Sequence, residues 1–423
     1  MPAPLLVLSN GHGEDLIALR VIEALLERQP GLVPAVLPLV GEGGSFERSG
    51  AQGRLRLLGP RLPLPSGGFS NQSLAGLGQD LRAGLARLSW QQWRVLQAWR
   101  RGNPGGAVLA IGDLVPLALA WASGASYGFI GTPKSDFTWA SPVPRGWRPT
   151  PLADAYHRCK GSEWDPWEWA LMRQPRCQLV AVRDRFTARG LRRRGVPAVA
   201  PGNPMLDRLD PVELPPVWLR QRRRLLLLPG SRMPECLRNA TRLLALLEAW
   251  QPTAPTTLLI ASTARPERQD WAQRLHQHGL EPMDPDADAA AIGVAAAWRR
   301  GLLQVLLGYG CFERWAPWSE VGLANAGTAT EQLTGMGVPV LSLPGAGPQF
   351  TTNFARRQSR LLGGAVQPCA GPQELAERLG RLLEDGALRE HLGRQGRRRM
   401  GDAGGGARLA ALVEERLLSD RLG

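Results

Sequence analysis

Short aliphatic runs, each closed by a turn of small residues and followed by a helical pattern, recur along the whole chain. Leu5–Leu8 ends in Ser9-Asn10-Gly11-His12-Gly13-Glu14-Asp15, after which Leu16, Leu19, Ile22, Ala24 and Leu26 mark one helix face. Val33–Val40, Leu55–Leu58, Ala107–Ile111, Tyr127–Ile130 and Leu179–Val182 continue the strand series, and Gln72–Arg101 carries a long helical pattern. Such runs do not alternate with polar residues, as they must when both faces of a strand are buried. Strands and helices in alternation predict a parallel sheet with helices on both faces. The proline-rich, basic stretch Asp207–Arg224 interrupts the pattern, and Leu225–Leu228 restarts it. Further strands fall at Thr257–Ala261, Leu303–Leu307, Val321–Ala324 and Val338–Leu341, and Pro372–Leu422 is helical. The expected fold is α/β: two doubly wound, Rossmann-like domains facing a cleft. Residues 1–207 form the first, 208–223 a linker, 224–401 the second, and 402–423 a C-terminal helix packing back on the first.

A chain of 423 residues with 43% apolar and 21% charged residues has enough material for two cores, which excludes a disordered chain or a small disulfide scaffold. The five cysteines are odd in number and far apart, with no C-x-x-C and no zinc spacing, so a reducing compartment and no metal are expected. Met1–Leu8 has no basic leader region, and the apolar stretch Ala107–Ile130 is broken by Gly112, Asp113, Pro116 and Gly124. Neither a signal peptide nor a membrane span is expected. Net charge is +14, which favours anionic partners, yet only two of the 51 basic residues are lysines, Lys134 and Lys160.

In parallel sheets, ligands bind beyond the carboxyl ends of the strands. Four strand-end turns therefore matter most. In the first, Gly11, His12 and Gly13 let the backbone approach a ligand, and Glu14 and Asp15 can accept hydroxyl hydrogen bonds or cap their own helix. It lacks the full dinucleotide fingerprint, which argues against NAD. In the second, Ile111-Gly112-Asp113-Leu114, Asp113 is a candidate base for a hydroxyl proton or an N-cap. In the third, Gly230, Ser231 and Arg232 open a helix beside a guanidinium, a cradle for a diphosphate. In the fourth, Gly327 and Thr328 can donate backbone N–H groups to phosphate, and Glu331, one turn on, can accept ribose hydroxyls. The neighbouring turn Pro344–Gln349 and Asn353 complete a candidate nucleotide pocket.

Other features carry less. Asp284-Pro285-Asp286-Ala287-Asp288 lacks the glycine and terminal glutamate of a calcium loop. Arg192–Arg194, Arg222–Arg224 and Arg397–Arg399 are short basic runs placed near helix ends, without the interleaved aromatics of a nucleic-acid groove. The 15 tryptophans include Trp90, Trp93 and Trp99 beside arginines and a second group, Trp164, Trp167 and Trp169; they suit either the core or a membrane interface.

Several of these segments together resemble the lipid-A-disaccharide synthase family and its related proteins. Leu228-Pro229-Gly230-Ser231-Arg232 with Glu235 is similar to that family's diphosphate-side loop. Pro201-Gly202-Asn203-Pro204-Met205-Leu206-Asp207 resembles its G-H-P-L-x-D segment, with Asn203 in place of the histidine, and Ala326-Gly327-Thr328-Ala329 resembles its S-G-T-A turn. Gln349 and Asn353, with Ala355, are similar to a region of the peptidoglycan N-acetylglucosaminyltransferase. The first turn and the surroundings of Asp113 depart from the family pattern, and Glu331 lies one residue nearer Gly327 than that family's glutamate.

The resemblance implies a GT-B fold, a UDP-sugar donor as substrate with no further cofactor, and metal-independent inverting transfer to a hydroxyl of a lipid or glycolipid. Asp113 is the expected base, with Glu14 as the alternative. Gly230, Ser231, Arg232, Gly327, Thr328, Glu331, Gln349 and Asn353 are expected on the donor side, and Gly11, His12, Gly13 and Asn203 on the acceptor side. A cytoplasmic protein meeting the inner face of a membrane, without nucleic acid, would fit. Two other readings remain open: an enzyme like UDP-N-acetylglucosamine 2-epimerase, and a non-catalytic basic protein that binds RNA or membrane.

Overall fold

Strand β1 (Leu5–Ser9) has every residue buried, because an aliphatic run in the middle of a parallel sheet is covered on both sides. A computed structural model of the chain describes residues 3–41, 43–62, 82, 84–207, 213–345 and 350–419. It divides into two units: Met1–Ala140 with Thr150–Asp207 and Asp402–Gly423, and Ser141–Pro149 with Arg208–Gly401.

The first unit holds a seven-stranded sheet in the order β3-β2-β1-β4-β5-β6-β7. The strands are β2 (Ala35–Pro38), β3 (Arg56–Leu57), β4 (Ala107–Gly112), β5 (Ser126–Gly131), β6 (Cys177–Val182) and β7 (Ala198–Val199), and all neighbours pair parallel. Helix α1 (His12–Arg28) follows β1, α2 (Leu85–Gly102) precedes β4, and α3 (Leu114–Ala122) follows it. The described part of the long Gln72–Arg101 pattern is helical from Leu85; residues 72–81 lie outside the described residues. The last helix of this unit, Gly405–Val413, starts where Asp207 accepts hydrogen bonds from the amides of Gly404, Gly405 and Gly406 at 2.5, 3.1 and 2.5 Å. A carboxylate at a helix N-terminus meets unpaired donors and the positive end of the helix dipole. Glu414 takes Arg28 Nε at 2.5 Å and ties this helix to the end of α1.

The second unit holds an eight-stranded sheet, β10-β11-β12-β9-β8-β13-β14-β15. Its strands are β8 (Arg223–Leu228), β9 (Thr256–Ser262), β10 (Glu281–Met283), β11 (Val294–Arg300), β12 (Leu303–Tyr309), β13 (Val321–Ala324), β14 (Val340–Ser342) and β15 (Val366–Pro368). Five pairs are parallel, but β10–β11 and β11–β12 are antiparallel. The edge is therefore not the wholly parallel one that the alternation predicts. Gly301, at φ +56, turns β11 into β12 through a two-residue hairpin, which needs a left-handed backbone. The basic run Arg222–Arg224 follows the short helix Val217–Arg220, as expected of a run near a helix end: Arg224 Nη1 donates to the Leu219 and Arg220 carbonyls at 3.3 Å, while Arg223 and Arg224 also open β8.

Residues Ser141–Pro149 belong to this second unit. Arg360 Nε donates to the Ser141 carbonyl at 2.8 Å, and Arg399 to the Ser141 hydroxyl at 3.1 Å. The tryptophans divide: Trp99, Trp164 and Trp169 are buried, whereas Trp90 and Trp167 are exposed. Among the described residues no helix is long and apolar enough to cross a membrane.

Candidate functional site

Along its parallel-paired strands, each sheet reverses its strand order once. In the first the reversal falls between β1 and β4, and in the second between β8 and β13. A crevice opens at such a point because the connections leave toward opposite faces. Register places Ser9 beside Ile111 and Leu228 beside Ala324. The four turns singled out in the sequence are thus the two pairs that flank the two reversals.

In the first unit, Gly11 at φ +118 caps α1, with His12 and Gly13 as its first residues. Gly112, at φ +133, ends β4. A Cβ on Gly112 would lie 3.1 Å from Asn10 Cβ and 3.3 Å from Glu14 Cγ, so this glycine lets the two turns close on each other. Asn10 donates from Nδ2 to Asp113 Oδ1 at 2.7 Å, and the same oxygen accepts the Val115 N–H at 3.1 Å. Asp113 is therefore an N-cap in geometry, as one of its two readings expects. Burial raises its pKa, opposed by the Val115 N–H, the Lys134 charge and the Asn10 amide.

Glu14 is half-buried, and the Thr132 hydroxyl donates to its Oε1 at 3.4 Å. Burial pushes Glu14 up to about 7; a backbone hydrogen bond opposes this, and the charges of Asp113 and Asp15 add to it. A carboxyl in that range is divided between acid and base forms at neutral pH, as a proton acceptor should be. Asp15 is also pushed up to about 7 by burial, but it is enclosed and accepts the Ser9 hydroxyl at 2.5 Å. Its role is to fasten the turn.

Asn203 is buried and its Oδ1 accepts the Met205 N–H at 3.1 Å, beside the backbone of Gly405. Asn203 and Thr132 line one small cavity of about 20 Å³, room for a single water.

Thr132 lies just beyond β5, on a segment locked by charge. Lys134 Nζ donates to both oxygens of Glu168 at 2.7 and 2.6 Å, sits 5.1 Å from the Trp164 ring centre and lies 3.7 Å from Asp165. Lys160 bonds the same Asp165. The chain's two lysines thus meet at one acidic pair, Asp165 and Glu168, which also forms a capping box on the helix Pro166–Met172. Nothing in the local sequence signals this, because Lys134 and Glu168 are 34 residues apart.

In the second unit, Gly230 has φ +99, Ser231 is exposed and Arg232 is half-buried. The Arg232 carbonyl accepts the Cys236 N–H at 2.7 Å, opening helix α4 (Glu235–Leu244). Across the reversal, Gly327 caps helix α5 (Thr328–Gly335), and the Glu331 N–H bonds the Gly327 carbonyl at 3.1 Å. Two buried asparagines missing from the sequence-level site bind these turns together. Asn325 donates to the Leu343 carbonyl at 2.8 Å and accepts the Leu343 N–H at 3.0 Å; Asn239 donates to the Pro229 carbonyl at 3.0 Å. Gln358 adds a bond to the Ala326 carbonyl at 3.1 Å. The ends of β8, β13 and β14 are fixed by side-chain amides that match backbone donors and acceptors.

A detectable signal for Asn239 is an amide placed among Cys236, Ala240, Leu243 and Leu244 on the buried face of its helix. Replacing Asn325 by Ala leaves the Leu343 N–H and C=O unpaired, and we expect a loss of about 2–3 kcal/mol in urea unfolding. Asn353 is exposed and accepts Arg356 at 2.5 Å, and Gln349 lies outside the described residues. Among the described residues no group of three or more His, Cys, Asp or Glu is placed to hold a metal ion.

No family model matches the chain, and no curated protein matches it in sequence. Solved structures do match it along nearly its whole length. A putative UDP-N-acetylglucosamine 2-epimerase from Listeria monocytogenes superposes with a TM-score of 0.57 at 14% identity, covering 98% of this chain and 97% of the other. The UDP-GlcNAc 2-epimerase from Neisseria meningitidis, solved bound to UDP-GlcNAc, gives 0.55 at 14% identity, covering 97% and 100%. The calicheamicin glycosyltransferase gives 0.53 at 15% identity, covering 99% of each chain. The fold in common is the GT-B fold: two α/β domains built on largely parallel sheets of seven and eight strands.

Proposed function

We propose that the protein is a nucleotide-sugar glycosyltransferase. The observation that carries this reading is that the four small-residue turns flank the two strand-order reversals. Gly230, Ser231, Arg232, Gly327 and Thr328 are proposed to hold the donor diphosphate through backbone N–H groups and a guanidinium. Glu331 would accept the ribose hydroxyls, and Gln349 and Asn353 would contact the sugar. Asp113 is the proposed base and Glu14 the alternative, with Gly11, His12, Gly13 and Asn203 on the acceptor side.

In the reaction, the acceptor oxygen bonds to the anomeric carbon as its proton passes to the carboxylate. The bond from that carbon to the diphosphate breaks with inversion, and the nucleoside diphosphate leaves with the bonding pair. Arg232 offsets the charge that develops on it. UDP as the nucleotide and a lipid or glycolipid as acceptor rest on the sequence resemblance, as does a place at the inner face of a membrane.

The matched epimerases favour a second reading, a 2-epimerase acting on UDP-GlcNAc alone. Incubation with UDP-GlcNAc, followed by chromatography of the sugar nucleotides, separates the two: a transferase leaves the sugar configuration unchanged without an acceptor. Once an acceptor is found, Asp113→Asn should retain UDP binding and lower kcat by about 10²–10⁴-fold. A fully active variant would remove Asp113 from the role of base.

A further inference from the structure

Apart from the strand-end turns, the second unit carries an open recess of about 460 Å³, lined by Leu237, Arg238, Thr241 and Arg242 of α4, by Ala245 at its C-terminal cap and by Arg274 of the helix Arg268–Gln277. Three of its six lining residues are arginines and none is acidic. Along α4 and its cap the spacing makes two rows on one face: Leu237, Thr241 and Ala245 at intervals of four, with Arg238 and Arg242 beside them.

Two of the guanidinium groups are held in place. Arg274 Nε donates to the Thr241 hydroxyl at 3.3 Å and Nη1 to the Asp270 carbonyl at 3.1 Å. Arg242 Nη1 donates to Asn239 Oδ1 at 3.1 Å, and its guanidinium lies over Gly345, where a Cβ would come within 1.9 Å of Cζ. Arg238 is mostly exposed and pairs with Glu235 at 3.1 Å, an exchangeable surface contact. Guanidinium groups fixed before binding lose little side-chain freedom when an anion arrives, and their forked donors match phosphate oxygens.

We propose that this recess binds a phosphate group, either on a small soluble compound or on a lipid headgroup, distinct from the nucleotide site proposed above. The apolar row of Leu237 and Ala245 faces the non-phosphate part of the ligand. The recess has no aromatic lining on which nucleic-acid bases would stack.

The test uses the full chain with saturating UDP present to fill the proposed diphosphate site, and two probes, inorganic pyrophosphate by calorimetric titration and co-sedimentation with phosphatidylglycerol-containing vesicles against phosphatidylcholine alone, with a single-stranded RNA as control. The expected result is saturable binding to at least one probe, weakening with added salt. In the double variant Arg238→Gln, Arg274→Gln that affinity falls about tenfold or more, equivalent to about 1.4 kcal/mol. Pyrophosphate binding without vesicle binding identifies a soluble ligand, and the reverse identifies a headgroup. Arg238→Gln alone, at an exposed position, repeats the test should the double variant unfold. Binding of neither probe, equal binding by wild type and variants, or binding only to single-stranded RNA overturns the proposal. UDP titration of the same double variant reads the proposed nucleotide site separately. Unchanged UDP binding is expected, and absence of UDP binding in the wild type would sink the functional reading while leaving the recess standing.

Discussion

Lys134→Met should destabilise the protein by about 2–4 kcal/mol, among the largest effects of any single substitution in the first unit. Glu168 is fully buried, and both its oxygens take the Lys134 ammonium. Methionine keeps the length and apolar stem of the side chain but leaves that carboxylate without its cation. Burial already raises the Glu168 pKa against the pull of Lys134, so removing Lys134 raises it further. In the variant the native state then binds this proton more tightly than the unfolded chain does, and stability falls as pH rises through the carboxylate range. The loss should therefore be small near pH 4 and full by pH 8. Urea unfolding of both proteins at the two pH values measures it. A variant that matches the wild type at pH 8 would mean that Lys160 or solvent already neutralises Glu168.

Glu14→Gln should have the opposite sign. A carboxyl with a folded pKa of about 7 and an ordinary value near 4.5 holds its proton better in the native state, so its contribution to stability declines from about pH 4.5 to pH 7 and stays low above. Glutamine is neutral at every pH and still offers an oxygen to Thr132. The shift at face value is about 3 kcal/mol, and solvent contact of the half-buried side chain reduces it to about 1–2 kcal/mol. The variant should therefore be more stable than the wild type at pH 8 by that amount and equal to it near pH 4. A gain in stability with a loss of transfer would mark Glu14 as a residue held for chemistry. Equal midpoints at pH 8 would place its pKa in the ordinary range.

Much of the fold was legible because the buried strands are unbroken aliphatic runs. β1, β4, β5, β6, β8, β9, β12 and β13 all coincide with runs read from the sequence, within a residue or two at their ends. The strands that escaped are short or atypical. β10 contains Pro282 in three residues, β15 has three and ends in Pro368, β7 has two, and β11 mixes alanines with Trp298 and two arginines. A run of hydrophobicity cannot report an edge strand that needs only one covered face.

The turns were legible through their glycines, and Gly11, Gly112 and Gly230 all adopt the left-handed backbone that other residues avoid. Their supports were not. Thr132 with Glu14, Lys134 with Glu168 and Asn239 with Asn325 are partners separated by 118, 34 and 86 residues. Such pairs exist only once the sheet order brings their loops together. The roles proposed for the turn residues rest on that placement and on the sequence resemblance.

The central claim is that the turns after β8 and β13 hold a nucleoside diphosphate. Calorimetric titration of UDP into the full-length protein tests it most directly, with Glu331→Ala and Asp113→Asn measured alongside. The account predicts saturable binding by the wild type, about tenfold or greater weakening in Glu331→Ala, and undiminished affinity in Asp113→Asn. No binding by the wild type, or equal affinity in Glu331→Ala, would contradict it.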